Sequence, residues 1–163
     1  MGGDSITGAL CSMNQISPLL KPDSIQIDLS FATKAKLFEH AAHWFESRHG
    51  LKAGEVLNNL LEREHLGSTA LGSGVAIPHG RIKGLKQAAG ALFRLSPALE
   101  FDAPDNRPVS LCFILLAPTD ANEAHLQILG ELAQLFGDPS MREQMNHAAD
   151  AATLYGLFER WTA

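Results

Sequence analysis

A glycine-rich stretch at residues 67–81, GSTALGSGVAIPHGR, constrains this chain more than any other part of it. Pro78 fixes its own φ at about −65° and biases Ile77 towards an extended backbone, whereas Gly80 permits a sharp turn on the other side. The pattern therefore predicts a loop that leads into a short strand, with His79 held at the end of that strand.

The small residues of this stretch also suit an anion. Backbone N–H groups and the hydroxyls of Ser68 and Thr69 can approach phosphate oxygens without bulky side chains in the way. A neutral imidazole with a pKa of about 6.5 keeps one nitrogen lone pair at neutral pH, so His79 can attack phosphorus without a separate base. From the tripeptide alone, a solvated turn histidine stays open as the alternative, because short Pro, His and Gly combinations occur in ordinary turns.

Hydrophobic periodicity predicts strands interspersed with helices. We predict strands at residues 24–29, 88–95 and 109–116. We predict helices at residues 33–48, 53–65, 123–136, 138–145 and 151–161. This order predicts an α/β fold in which a mixed β-sheet is flanked by helices on both sides, a three-layer sandwich.

The sequence also predicts two local features, a turn between strands and the apolar face of one helix. Pro97, Pro104 and Pro108 predict a turn or short hairpin between the last two strands. The helix at residues 123–136 is predicted to be amphipathic, with one apolar stripe formed by Leu126, Leu129, Leu132, Ala133 and Phe136.

Length and charge exclude several classes of protein. The 163 residues fit one domain with a substantial core, and 13 basic against 18 acidic side chains give a net charge of −5, unlike a nucleic-acid-binding domain. The longest apolar run, residues 111–118, is far shorter than the about 20 residues of a membrane helix, and no secretory signal is visible. We expect a cytoplasmic protein with no membrane insertion and a reduced Cys11 and Cys112. We predict neither a metal nor a cofactor, since no Cys/His cluster has zinc spacing.

Three motifs in a fixed order resemble one family. Residues 60–81, LLEREHLGSTALGSGVAIPHGR, are followed by residues 98–109, ALEFDAPDNRPV, and by a helix that opens at Glu123, Ala124 and His125. Over about residues 20–160 the chain resembles the IIA components of the bacterial phosphoenolpyruvate phosphotransferase system, mannitol/fructose class. Within that class it is most similar to the nitrogen-regulatory branch. We divide the sequence into a flexible tail at residues 1–15 and one IIA domain at residues 16–163.

The resemblance implies a phosphotransferase that carries phosphohistidine. His79 occupies the place of the nucleophile that takes phosphate from an HPr-type (NPr) carrier protein, and Arg63 and His125 occupy motif places from which they can neutralise phosphate oxygens. Ser68 and Thr69 are weaker candidates for phosphate contacts. Regulatory targets, such as potassium-transport or sensor components, are the further partners that the resemblance implies.

Alternatives remain for several of these roles. Arg63 can form only surface ion pairs, His125 can be an ordinary helix residue, and Arg81 can dock an acidic partner, lie near phosphate or be solvated. The chain can also be a sugar-specific IIA for fructose or mannitol, or an adaptor that binds an anion or partner without being phosphorylated. Because the sequence carries no IIB-like cysteine motif and no membrane segment, we expect regulation rather than uptake. The resemblance implies that nitrogen, carbon or potassium status is what the chain regulates.

Overall fold

The computed structural model describes residues 16–120 and 122–161, so the tail predicted at residues 1–15 lies outside the described residues. The strands are β1 (Ile25–Leu29), β2 (Ala70–Gly72), β3 (Val75–Ala76), β4 (His79–Ile82), β5 (Ala89–Leu99) and β6 (Val109–Pro118). The helices are α1 (Lys34–His49), α2 (Ala53–Leu66), α3 (Asn122–Gly137), α4 (Pro139–His147) and α5 (Ala151–Arg160). Two short 3-10 turns, Ser17–Leu19 and Pro22–Ser24, precede β1.

The helix ends follow capping chemistry that is visible in the sequence. The Thr33 hydroxyl accepts a hydrogen bond from the Lys36 N–H at 3.1 Å and so caps the start of α1. At the other end, Gly50 takes a φ of 67°, the left-handed conformation that glycine adopts without strain. Asp150 caps α5 in the same way as Thr33 caps α1, by accepting from the Thr153 N–H at 2.8 Å. The predicted helices are therefore confirmed to within a few residues.

The sheet mixes parallel and antiparallel pairs, as predicted. β5 and β6 form an antiparallel pair at its centre, and β1 pairs in parallel with β5. On the other side of β6, both β3 and β4 pair with it in parallel, and β2 closes a short antiparallel hairpin with β3.

Two apolar cores, one on each face of the sheet, confirm the three-layer sandwich. Side chains alternate between the faces along β5 and β6, so that Phe93 and Ile114 belong to one core and Leu92 and Phe113 to the other. The first core is completed by buried residues of α1 and α2, among them Phe38, Phe45, Val56 and Leu60. The second core is completed by buried residues of α3, α4 and α5, among them Leu132, Phe136, Met145 and Phe158.

β3 and β4 run beside β6 in one unbroken register. Val75 lies opposite Leu111 and His79 lies opposite Leu115, which is the same offset in both strands. Pro78 interrupts only the hydrogen bonding, because it has no N–H to donate, and its carbonyl still accepts from the Leu115 N–H at 2.9 Å. The backbone at His79 is therefore fixed by the central strand of the sheet.

The glycine-rich stretch is more ordered than the sequence predicts. It contains the β2–β3 hairpin, and His79 begins β4 rather than ending a strand, so that part of the prediction is wrong. The hairpin turns at Ser73 and Gly74, with φ values of 57° and 80°. Asp105 stabilises this turn, since its carboxylate accepts from the Ser73 N–H at 2.7 Å. That partner lies far along the chain, which is why local sequence did not show the hairpin.

Two other details also differ from the predictions. β5 continues beyond Pro97 to Leu99, which pairs with Val109 after a register shift, so the turn between the strands starts later than predicted. In α3, Leu126 is 65% exposed and Ala133 is also exposed, and the buried stripe instead contains His125 and Ile128 together with the leucines of the second core. None of the helices in the described ranges has the length and apolar character needed to cross a membrane.

Candidate functional site

His79 stands at the start of β4 with its ring orientation fixed by its own backbone. The ring nitrogen Nδ1 lies 2.8 Å from the carbonyl oxygen of Ile77. A carbonyl oxygen only accepts hydrogen bonds, so this bond requires the ring hydrogen on Nδ1. In the neutral ring, Nε2 then carries the free lone pair, and the nucleophilic atom of His79 is defined.

The residue after His79 is a glycine, Gly80, and α2 passes close to β4 at this position. A β-carbon at position 80 would lie 3.2 Å from Cβ of Asn59, so a larger side chain would force the helix and the strand apart. Gly80 thus faces α2, whereas alternation along β4 directs His79 to the opposite face, the side on which Ile77 packs against α3. β4 therefore holds His79 at the edge of the sheet, in a cleft that is lined by α2 from one face and by α3 from the other.

His125 approaches His79 from the first turns of α3. The two rings lie 5.6 Å apart between centroids, with their planes tilted by 49°. His125 is only 5% exposed, and its buried Nδ1 has no hydrogen-bond partner among the described residues. The sequence-predicted pair His79 and His125 is therefore brought together by the fold, with one ring nitrogen of His125 left without a protein partner.

Two arginines line the same cleft as the histidines. Arg63 lies on α2, where its Nη1 donates to the Gly67 carbonyl at 2.9 Å, and Arg81 lies two residues after His79 on β4. The cleft has a volume of about 460 Å³, and its apolar rim includes Leu66 and Leu126. The two arginines outnumber the one carboxylate of the lining, that of Glu62, so the lining has a net positive charge.

The cleft keeps both histidines neutral at physiological pH. Burial lowers the pKa of His79 below its ordinary 6.5, and the charge of Arg63 lowers it further, while the hydrogen bond to Ile77 and the nearby Glu64 oppose this shift. Burial likewise lowers the pKa of His125, and His79 and Arg81 reinforce the effect. The arginine charges that disfavour protonation of the two histidines also favour the binding of an anion in the cleft.

Ser68 and Thr69 are placed away from this cleft. The Ser68 hydroxyl donates to the Phe101 carbonyl, and the Thr69 hydroxyl donates to Oε1 of Glu64 at 2.6 Å. Neither residue lines the cleft that contains His79 and His125. Their phosphate contact stays a prediction, and the structure does not bring their hydroxyls to the histidines.

Glu64 is the residue that sequence analysis missed. Its side chain is only 7% exposed, pairs with Lys34 Nζ at 3.0 Å and accepts from both the backbone N–H and the hydroxyl of Thr69. It thereby attaches the beginning of the glycine-rich stretch to α2, the helix that carries Arg63. The residue's position directly after Arg63 gave no signal, because its three bonds depend on segments that fold against it.

Across the described ranges, no group of three or more His, Cys, Asp and Glu side chains is placed to hold a metal ion. Cys112 is a free thiol, fully buried in the first core, and burial raises its pKa well above the ordinary value of 9.0. That thiol is therefore a core residue and is protonated at neutral pH.

Comparison with known sequences and structures shows the class of protein to which this fold belongs. Residues 18–161 match the model of the family described as "Phosphoenolpyruvate-dependent sugar phosphotransferase system, EIIA 2". The chain belongs to this family, and its role is that of a phosphotransfer carrier or regulatory component of the phosphotransferase system.

Individual relatives place the chain near the nitrogen-regulatory members. The nitrogen regulatory protein of Bradyrhizobium diazoefficiens is 34% identical over 142 residues, which cover 87% of this chain and 93% of that protein. The crystal structure of IIA-Ntr from Neisseria meningitidis superposes with a TM-score of 0.85 at 42% identity, covering 89% of this chain and 99% of that one. IIA mannitol from Escherichia coli shares the fold, with a TM-score of 0.73 at 21% identity over 85% of this chain and 98% of that one.

Proposed function

We propose that His79 accepts a phosphoryl group on Nε2 from the phosphohistidine of an HPr-type (NPr) carrier. The Nε2 lone pair forms the new P–N bond while the P–N bond of the donor breaks, and the electron pair of that bond returns to the donor imidazole. The donor imidazole leaves with this electron pair. It ends as a neutral ring that carries one proton, which it either already held on its other nitrogen or takes from solvent. The acceptor ring keeps its hydrogen on Nδ1, bonded to the Ile77 carbonyl.

One observation supports this assignment above the others, the 2.8 Å contact between Nδ1 and the Ile77 oxygen. It leaves Nε2 as the nitrogen with the lone pair, so that no separate base is needed. The same bond favours the protonated form of the phosphorylated ring, in which nitrogen is the better leaving group. A carrier needs this property, because it must release the phosphoryl group again.

The surroundings of His79 match the needs of phosphoryl transfer, in which the protein contributes position and charge. Arg63 presents a guanidinium whose planar fork suits phosphate oxygens, and the His125 ring is near enough to donate a hydrogen bond to the transferred group. Arg63 and His125 are accordingly assigned to stabilising the transferred phosphoryl oxygens.

The rim of the cleft favours a protein as the phosphate donor. Leu66 is 84% exposed and Leu126 is 65% exposed, and both border the cleft. Large apolar side chains left exposed around a charged centre are typical of protein contact surfaces. A carrier protein can cover these leucines, whereas a small phosphate donor would leave them in water.

Regulation follows from the charge that phosphorylation adds. A phosphoryl group brings about −1.5 to −2 charges to a cleft whose lining contains two arginines, one carboxylate, that of Glu62, and several apolar residues. Partners that dock on this surface therefore distinguish the phosphorylated from the free protein. In keeping with the nitrogen-regulatory relatives, we assign the chain to signalling of nitrogen, carbon or potassium status in the cytoplasm, through targets such as potassium-transport or sensor components.

The test is incubation with phosphoenolpyruvate, enzyme I and an HPr-type carrier, followed by intact mass measurement. We expect one acid-labile, base-stable phosphoryl group on the wild-type chain and none on His79→Ala. His43→Ala, which removes an exposed histidine of α1, serves as the matched control and should be phosphorylated normally. An unmodified wild-type mass would instead support a binding adaptor, and efficient onward transfer to a fructose or mannitol IIB domain would support a sugar-specific role.

A further inference from the structure

A second cavity lies apart from the histidine cleft. It has a volume of about 600 Å³ and lies between the 3-10 turns before β1, the end of α1 and the segment that joins β4 to β5. It shares no lining residue with the cleft that contains His79. Its volume falls within the about 300–1,000 Å³ typical of small-molecule sites. The cavity is therefore large enough for a ligand of nucleotide size.

The wall of this cavity is cationic although the chain has a net charge of −5. Lys21, Arg48 and Lys86 line it, against one carboxylate, that of Asp23. Asp23 is engaged by Arg48, whose Nη1 lies 2.6 Å from its Oδ2. Within the part of the chain that the structure describes, neither Lys21 nor Lys86 forms an ion pair. Two ammonium groups thus remain for the anionic part of a ligand.

Trp44 adds a buried hydrogen-bond donor to the same wall. The residue is only 7% exposed, and its indole Nε1–H has no acceptor among residues 16–120 and 122–161. A buried donor without an acceptor is destabilising, and such groups are rare in folded proteins. Trp44 lines the cavity, but its Nε1 atom has almost no exposed surface, so a ligand oxygen reaches this donor only when the indole shifts on binding. His49, beside Trp44, has its pKa lowered by burial and by Lys21, so its ring is neutral at pH 7 and can also bond to a ligand.

Apolar side chains complete the lining. Leu19 and Leu85 border the cavity together with Trp44 and offer a surface on which a ring system can pack. We infer that this cavity binds a phosphorylated metabolite of nucleotide size, with its phosphate oxygens on Lys21 and Lys86 and its ring against Leu19 and Leu85. A sugar phosphate fits less well, because it has no apolar part to cover the leucines.

Such a ligand would give the protein an input separate from phosphorylation. Leu85 and Lys86 belong to the segment that leads directly from β4, the strand that begins with His79, into β5. The cavity does not contain His79, so binding does not require the phosphotransfer reaction. Ligand binding here and phosphorylation of His79 can therefore be tested independently.

Titration calorimetry of the full-length wild-type protein with ADP is the direct test. We expect saturable binding that weakens as salt is added, since the anion is held by exposed ammonium groups. Lys21→Gln/Lys86→Gln should weaken binding at least about tenfold, because hydrogen bonds to charged groups are lost. Lys83→Gln removes a charge from the same connecting segment but does not line the cavity, and it should bind ADP like the wild type.

Two further measurements locate the bound ADP and identify which part of it is recognised. In a Trp161→Phe background the fluorescence of Trp44 should change on saturation with ADP, and His79→Ala should leave the affinity unchanged. Adenosine and glucose 6-phosphate should each bind at least about tenfold more weakly than ADP. The inference is overturned by absence of saturable binding at millimolar ADP, by equal binding of ADP and adenosine, or by unchanged affinity in the double lysine variant.

Discussion

The imidazole rings of His79 and His125 lie 5.6 Å apart between centroids, although one stands on a strand and the other on a helix of the facing layer. The Nδ1 of His79 is occupied by the Ile77 carbonyl, whereas the Nδ1 of His125 has no partner among the described residues. The hydrogen bond of His79 thus leaves its lone pair on Nε2, whereas no described residue bonds to the buried Nδ1 of His125. This difference agrees with the different roles that we propose for the two residues.

His125 is expected to accelerate transfer without being required for it. His125→Ala removes a hydrogen-bond donor to the phosphoryl oxygens, and loss of one such donor slows a reaction by about 100-fold. Rapid-quench measurement of phosphoryl transfer from the HPr-type carrier gives the rate. His147→Ala, at an exposed position of α4, is the control and should be unaffected. A wild-type rate in His125→Ala would remove this residue from the site.

Arg63 is expected to act through its planar fork as well as its charge. Arg63→Lys keeps the charge but cannot form two parallel bonds to phosphate, so transfer should slow by about tenfold or more. Arg142→Lys is a matched control, because Arg142 also donates to a helix carbonyl, that of Phe136 at 2.8 Å, and lies away from the cleft. Equal rates for Arg63→Lys and wild type would show that charge alone suffices.

The histidine pair should titrate at lower pH than isolated histidines. Because burial lowers the pKa of both rings, NMR titration should give midpoints below 6.5 for His79 and His125. In His79→Ala, the midpoint of His125 should rise, since His79 is one cause of its lowered pKa. A midpoint at or above 6.5 for His79 in the wild type would contradict the described burial.

The same shifts have a consequence for stability. At pH values between the lowered pKa of these histidines in the folded protein and their ordinary pKa of 6.5, the unfolded chain binds more protons than the folded one. The free energy of unfolding therefore decreases as the pH falls through this window. Above pH 6.5 these rings add no pH dependence. Urea denaturation between pH 7 and pH 5 should show this decrease, and His79→Ala/His125→Ala should reduce it. An unchanged slope in the double variant would assign the acid sensitivity to other groups.

Glycines in the centre of the sheet and on a helix surface should respond oppositely to alanine. At Gly90 a β-carbon would lie 2.9 Å from ring atoms of Phe113, so Gly90→Ala should lower the free energy of unfolding by about 1–3 kcal/mol. At Gly130, inside α3, an added β-carbon would meet no side chain of the described residues within 4 Å, and Gly130→Ala should raise the free energy of unfolding by up to about 1 kcal/mol. Thermal and chemical denaturation measure both changes. A neutral Gly90→Ala would mean that Phe113 moves aside without cost.

Much of the fold was predictable because its signals are local. The alternation at residues 24–29 gave β1, and Thr33 and Gly50 marked the ends of α1. The β2–β3 hairpin was not predictable, since its turn is held by Asp105, which is distant in sequence. The predicted stripe of α3 was wrong at Leu126 and at Ala133, which are both exposed, and the error at Leu126 has a related reason. Both Leu126 and the buried His125 border the cleft, and only the packing of α3 decides which one is covered.

The candidate site was predictable in part. His79, Arg63 and His125 were found through motifs, and the fold brings all three to one cleft. The hydroxyls of Ser68 and Thr69 are instead engaged by Phe101 and Glu64, through contacts that form only when the glycine-rich stretch folds against α2. Local composition predicted that this stretch binds phosphate, but it could not predict which of its polar groups are engaged by other parts of the chain.

The position of the phosphoryl group on the ring tests the central claim most directly. NMR of the phosphorylated, ¹⁵N-histidine-labelled protein distinguishes substitution at the two ring nitrogens and identifies the residue. The bond from Nδ1 to the Ile77 carbonyl predicts a single product, phosphorylated at Nε2 of His79. Phosphate on Nδ1 of His79, or on His125 in place of His79, would contradict the account.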